Sequence, residues 1–133
     1  MSIQKVYDFF EKAEVFYLAT IDGDQPRVRP FSAQVILDDK LYFCTGTYKR
    51  FYEQLQLNPK IEMSATVSPR WIRLTGSVVF DNDPEKKAAF LETVPFLKKK
   101  YATDDELFTI FYLEDATATI ETLENSDKET FTL

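Results

Sequence analysis

The stretch that decides the fold is Lys60–Phe80, "KIEMSATVSPRWIRLTGSVVF". In its first part Ile61, Met63, Ala65 and Val67 alternate with Glu62, Ser64 and Thr66. Ser68-Pro69-Arg70 breaks the pattern, and it then resumes: Ile72, Leu74, Val78 and Phe80 lie opposite Trp71, Arg73, Thr75 and Ser77. Alternation of period two marks half-buried strands, and a short break between two of them marks an antiparallel hairpin. One face of that hairpin is strongly apolar, so the rest of the chain must cover it.

Upstream, "YKRFYEQLQL" reads as a helix closed by Asn58-Pro59, with Tyr48, Phe51, Tyr52 and Leu55 on one face. Before it come three strand signals. "VFYLATI" is rich in β-branched and aromatic residues, and "DGDQP" follows as a turn. "RVRPFSAQVIL" reads as a second strand, with Pro30 placing part of it at an edge or bulge, and "LYFCT" as a third. At the start, "SIQKVYDFFEKAE" reads as a helix with Val6, Phe9, Phe10 and Ala13 on its apolar face. Downstream, Asp83-Pro84-Glu85 opens a third helix, interrupted at Pro95. "LFTIFYL" and "ATATIETL" read as two last strands around Glu114-Asp115. The expectation is a mainly β domain spanning 1–133: a six-stranded, largely antiparallel small barrel with three peripheral helices, closed so that no sheet edge remains.

Composition narrows the chemistry. The 133 residues include 12 Phe and 7 Tyr, one Cys and no His. That excludes His-based triads, His metal ligands, an axial His for haem and an intrachain disulfide. No apolar run nears the roughly 20 residues of a membrane span, and the N-terminus lacks a signal-peptide pattern, so a cytoplasmic protein is expected. Net charge is −6, but residues 101–133 carry nine acidic and one basic side chain while residues 1–100 carry thirteen and fifteen. This balance disfavours a general nucleic-acid binder but leaves room for a small anion in a local basic pocket.

Such a pocket has candidates in "CTGTYKRF", Cys44–Phe51. Lys49 and Arg50 fall in the first turn of a helix, where the dipole disfavours cations by roughly 0.3–1 kcal/mol each. A bound phosphate reverses that sign by using free N–H groups, dipole and side-chain charge together. Thr45 and Thr47 offer hydroxyls, and Gly46 lets the backbone approach closely. The competing reading makes both cations solvated, with Lys49 pairing Glu53. Arg27 and Arg29, alternating on one strand face before Pro30-Phe31, form a second basic cluster that either converges on the same anion or faces solvent. Cys44 reads as a buried, inert thiol, "KKK" at 98–100 as a solvated helix end, and Asp38-Asp39 and Asp104-Asp105 as turn or cap residues.

Three blocks in this order, "VFYLATIDGDQPRVRPF", "LYFCTGTYKRFYEQLQLNPKIEMSA" and "WIRLTGSVVF", resemble the pyridoxamine 5′-phosphate oxidase-like, FMN-binding split-barrel proteins over roughly residues 14–123. The chain is most similar to small flavoproteins related to nitroimidazole-resistance (Nim) proteins. The resemblance implies a homodimer with FMN at the subunit interface. It implies that Lys49 and Arg50 bind the FMN phosphate with help from Thr45 and Thr47. Arg27, Val28, Arg29, Pro30 and Phe31 would line the flavin, with Trp71 and Arg73 near the ring or its phosphate. It also implies oxidoreductase chemistry, electrons passing from a reduced nicotinamide to a small organic acceptor. A non-catalytic flavin carrier or redox sensor, and a deazaflavin or haem in place of FMN, stand as alternatives. The Arg-His substrate motif of true pyridoxamine phosphate oxidases is absent, so that activity is not expected.

Overall fold

In the computed structural model, residues 2–102, 105–124 and 128–133 are described. Eight strands and three α-helices alternate along the chain: α1 (Ser2–Ala13), β1 (Phe16–Asp22), β2 (Gln25–Phe31), β3 (Val35–Leu37), β4 (Lys40–Gly46), α2 (Arg50–Leu57), β5 (Lys60–Val67), β6 (Arg70–Asp81), α3 (Pro84–Thr93), β7 (Phe108–Thr122) and β8 (Lys128–Thr132). A 3₁₀ turn, Pro95–Lys99, follows α3. Every strand pairing is antiparallel, in the order β2-β1-β5-β6-β7-β4-β3, with β8 also on β7. The decisive hairpin is β5–β6, in register from Lys60↔Ser77 to Val67↔Arg70. Among the described residues, no helix is long and apolar enough to cross a membrane.

The eight strands depart from the expected six-stranded barrel, and the segments read in the sequence differ from them in three places. "RVRPFSAQVIL" is two strands, not one: the chain leaves the sheet after Phe31, and the buried Gln34 side chain donates to Tyr7 O and Glu11 Oε1, tying the link to α1. Conversely, the last two expected strands fuse into the 15-residue β7. Asp115 adopts φ +52°, and the register shifts opposite Gly76, so an irregularity bends the strand without ending it. Gly76 fits closely there: a Cβ would lie 3.0 Å from Leu113 Cβ and 3.1 Å from Glu114 O, so β7 would have to give way slightly. Finally, the acidic tail contributes β8, which lacks the hydrophobic run that would have flagged it. Of the Asp104-Asp105 pair, Asp104 lies outside the described residues.

Nor does the pairing close on itself among the described residues: β2 and β3 are the two ends of the path. Pro26 and Pro30 explain β2, since a strand with two missing N–H donors belongs at an edge. The barrel interior is one apolar cluster that includes Phe10, Phe16, Leu18, Phe43, Met63, Ile72, Leu74 and Phe111. A second cluster, Val35, Tyr42, Phe90, Leu91, Tyr101, Phe108 and Ile110, lies beneath α3 on the outer side of β3, β4 and β7. The run "LYFC" therefore alternates between two cores, Leu41 and Phe43 inward, Tyr42 and Cys44 outward. This fixes β4 on both faces and aims its exit, Thr45–Gly46, at the start of α2.

Candidate functional site

Helix α2 begins beside the end of β2. Lys49 is its N-cap, with φ −84° and ψ 150° and no side-chain cap hydrogen bond, and Arg50 is its first residue. Phe51 and Leu55 are buried and hold the helix on the barrel. Tyr52 follows them by packing on Phe80, 4.8 Å between centroids, whereas Tyr48 precedes the helix and is half-exposed. Neither Lys49 nor Arg50 forms an ion pair with a described residue, so the Lys49–Glu53 pairing does not occur.

On the inner face of β2, Arg29 points toward α2. Its guanidinium donates to Leu18 O at 3.2 Å, Thr20 Oγ1 at 2.9 Å and Gln54 Oε1 at 2.9 Å, and stacks 4.7 Å from the Phe51 ring. The Thr20 hydroxyl also donates to Gln54 Oε1 at 2.6 Å. All these acceptors are neutral. Burial, then the neighbouring Arg27, lowers the pKa of Arg29, which marks a cation whose surroundings do not compensate its charge. Arg27 behaves differently: it is exposed and bridges Asp22 across its own hairpin at 3.1 Å.

Between these elements lies a cavity of about 170 Å³. Arg29, Pro30 and Phe31 form one wall, Cys44 and Thr45 another, Lys49 and Phe51 a third, and Phe96 and Leu97 of the 3₁₀ turn the last. Two cations line it, and no carboxylate among the described residues does. Burial pushes the Cys44 thiol up to about 12, against the pull of Lys49 and Lys100, so this group is neither nucleophile nor base near neutral pH. A larger cavity, about 310 Å³, lies by the β3–β4 turn, but Asp39, Lys40 and Glu114 mix its charges and it touches none of the expected site residues.

The structure thus gathers Arg29, Pro30, Phe31, Thr45 and Lys49 around one space. Thr47 is tied to the approach of β7, its hydroxyl donating to Glu106 O at 3.0 Å. Gly46 leaves room for protein instead of ligand: a Cβ there would lie 2.4 Å from Tyr48 Cε1 and 2.8 Å from the Tyr101 hydroxyl. Val28 is 68% exposed on the outer face of β2, with Tyr17 and Ile21 exposed on the adjacent strand. Trp71 and Arg73 are outside the cavity of a single chain. They stack on each other at 4.9 Å, Arg73 bridges Glu62 at 3.2 Å, and β1 and β5 separate them from β2. Sequence reasoning missed Gln54, which holds Arg29, and Phe96 and Leu97, which close the cavity. None of the three carried a signal in the sequence.

The chain is thus an antiparallel split barrel with a cavity at the start of α2 that is lined by two cations and, among the described residues, by no carboxylate. It belongs to the pyridoxamine 5′-phosphate oxidase family, whose model matches residues 3–123. It is similar to a NimC/NimA family protein from Clostridium acetobutylicum at 40% identity, covering 100% of this chain and 94% of that one with a TM-score of 0.94. It shares its fold with General Stress Protein 26 from Bacillus anthracis (18% identity, 99% and 98% coverage, TM-score 0.74). A pyridoxamine 5′-phosphate oxidase-related, FMN-binding protein from Nostoc punctiforme likewise matches in fold (15% identity, 98% and 94% coverage, TM-score 0.70). None of the curated proteins matches the sequence.

Proposed function

We propose that this protein is an FMN-binding flavoprotein, a homodimer that passes electrons from a reduced nicotinamide to a small organic acceptor. One observation carries the reading: Arg29 and Lys49 face a shared cavity with no carboxylate among the described residues that line it, in a chain whose net charge is −6. An anion is the missing counter-charge, and the family and the FMN-binding relative make the FMN phosphate the apt one. Lys49, Arg50 and the first N–H groups of α2 would hold the phosphate, with Thr45 beside them. The guanidinium of Arg29, fixed by three acceptors, would face the bound molecule without reorganising. Pro30 and Phe31 would supply an apolar wall.

At about 170 Å³ the cavity is smaller than the roughly 300–1,000 Å³ that encloses a drug-sized ligand. The exposed apolar row beside it, Tyr17, Ile21 and Val28, supports a second copy of the chain as the missing wall. Trp71 and Arg73 would then belong to the site only if the partner's outer face presents them. When bound, FMN supplies the electron and hydride transfer. The chain's part is binding, orientation and charge, because the cavity offers no titratable acid or base near neutral pH. That same absence favours a non-catalytic carrier or redox sensor as the second reading.

The visible spectrum of purified protein with and without FMN tests the first step. Bound flavin should appear with a shifted spectrum, and a protein that stays colourless at high FMN concentration refutes the reading. Replacing Lys49 and Arg50 with Ala should weaken FMN at least tenfold while leaving riboflavin nearly unchanged. Stopped-flow mixing with NADH or NADPH, then with a nitroaromatic or quinone, separates enzyme from carrier.

A further inference from the structure

Strand β7 has two edges. β6 follows one of them between Ile110 and Thr122, with one register shift. The other edge is shared: β4 takes Phe108–Phe111 and β8 takes Thr117–Glu121. Ala116 O accepts from the Leu133 N–H at 3.0 Å, which extends the β8 side by one residue. Among the described residues, 112–115 meet neither strand, so the sheet has a gap there. The cavity of about 310 Å³ opens at this gap, framed by Leu41 of β4, Leu113 of β7 and Leu133. Its floor is the barrel interior: Phe43, Leu74 and Ala116 line it, and each is at most 1% exposed.

Packed interiors contain few voids larger than a water molecule, so a space of this size against core side chains is unusual. It reaches the range of roughly 300–1,000 Å³ that encloses a small ligand. With about 30 Å³ as the liquid volume of one water, it holds roughly ten non-hydrogen atoms. A strand from another chain fits less well. The gap is shorter than an ordinary strand of about 5–6 residues, and the cavity floor lies inside the barrel, not along its edge.

The mouth is charged. Asp39 of the β3–β4 turn, Lys40 and Glu114 all line it. Lys40 lays its ammonium over the Tyr112 ring, 4.7 Å from the centroid. Neither Asp39 nor Glu114 forms an ion pair with a described residue, although Asp38 next door meets Lys86 at 3.8 Å. Two carboxylates therefore stand against one lysine that is already engaged by a ring. We propose that this cavity is a ligand site for a primary amine with a compact apolar body, its ammonium between Asp39 and Glu114 and its body on Phe43, Leu74 and Ala116. No residue lines both this cavity and the one beside α2, so the inference is independent of the flavoprotein reading.

The test is isothermal titration calorimetry of the purified protein, with and without FMN. Phenethylamine, 2-phenylethanol and phenylacetate are the probes, alike in body and different in charge. Phenethylamine should saturate with a Kd in roughly the millimolar range, as expected of so small a ligand. Phenylethanol should bind roughly two- to fivefold more weakly, because exposed ion pairs contribute little, and phenylacetate more weakly still. Asp39→Asn with Glu114→Gln should erase the preference of the amine over the alcohol. Ala116→Leu and Leu113→Phe, which fill the space from two sides, should abolish binding of all three; if Ala116→Leu does not fold, Leu113→Phe decides, its fold checked by thermal melt. The inference is overturned if phenethylamine never saturates, if the alcohol or the acid binds as tightly as the amine, or if a folded Leu113→Phe binds the amine like wild type. Displacement of the amine by FMN would place it beside α2 and overturn the inference as well. A protein that binds the amine as described but no FMN upholds this site while the flavin reading falls.

Discussion

Replacing Arg29 with Met separates the two jobs the structure gives this side chain. Met keeps much of the aliphatic stem that packs on Phe51 and removes three donated hydrogen bonds, to Leu18 O, Thr20 Oγ1 and Gln54 Oε1. Two of the acceptors do not lose everything, because Thr20 still donates to Gln54 at 2.6 Å. Hydrogen bonds from charged groups are worth about 1.5–3 kcal/mol, but removing a half-buried cation also removes its desolvation cost. The apo protein should therefore lose only about 1–2 kcal/mol, roughly 4–7 °C in Tm for a chain of this size. Ligand binding should suffer more. Truncating a buried hydrogen-bonded charge opposite an anion typically costs 2–5 kcal/mol, so FMN affinity should drop ~30-fold or more. Thermal melts of the apo protein, and of both forms at fixed FMN, read the two effects separately. At 100 times the wild-type Kd, FMN should stabilise the wild type by about 2.7 kcal/mol and the variant far less. A variant that loses apo stability yet binds FMN as tightly as wild type would refute the cavity argument, because Arg29 would then serve the protein alone.

Three other perturbations have definite expected outcomes. Gly46→Ala puts a Cβ against Tyr48 and the Tyr101 hydroxyl; half-exposed Tyr48 can swing out, so stability should fall by about 1–3 kcal/mol, checked by urea melts. Burial pushes the Asp81 carboxyl up, but hydrogen bonds from Tyr42, the Asp83 N–H and Lys86 outweigh it and leave the carboxyl below its ordinary value. A depressed carboxyl contributes stability above its unfolded pKa that disappears as pH falls through the folded one, so Lys86→Met should flatten the acid limb of the stability profile below about pH 4 and leave its shape near pH 7 unchanged. With its pKa near 12, Cys44 should resist a thiol reagent at pH 8 in the native protein and react with one equivalent in denaturant; rapid native labelling would contradict its burial.

Strong periodicity made most of the fold legible. The Lys60–Phe80 alternation became the β5–β6 hairpin, and Asp83 became an N-cap that accepts from the Lys86 N–H at 3.3 Å. What stayed hidden depends on groups distant in sequence. The break after Phe31 is set by Gln34 reaching α1, and the continuity of β7 through Asp115 by a partner strand that bulges with it. At the site, residue types marked Lys49 and the Arg27–Arg29 pair as candidates for binding an anion, but not which arginine faces inward. That choice follows from the hairpin register: Arg29 lies opposite Leu18 and within reach of Gln54, while Arg27, nearer the turn, meets Asp22.

The charge distribution now has a physical logic. Residues 101–133 hold nine of the 22 acidic side chains, yet the path of the chain keeps the described ones off the cavity. Glu129 on β8 pairs with Lys5 of α1, and Asp22, Glu62 and Asp81 each take a cation that lies elsewhere. Arg29 and Lys49 are left facing one cavity with no carboxylate among the described residues that line it. Like charges so placed repel, and the fold tolerates this although spare carboxylates are available close by in sequence. Uncompensated charge in a folded protein is worth keeping where something else neutralises it. The cavity's small volume and its apolar walls beside two cations are what the proposed flavin site needs: a place for an anionic group, with the apolar body of the ligand shared with a second chain.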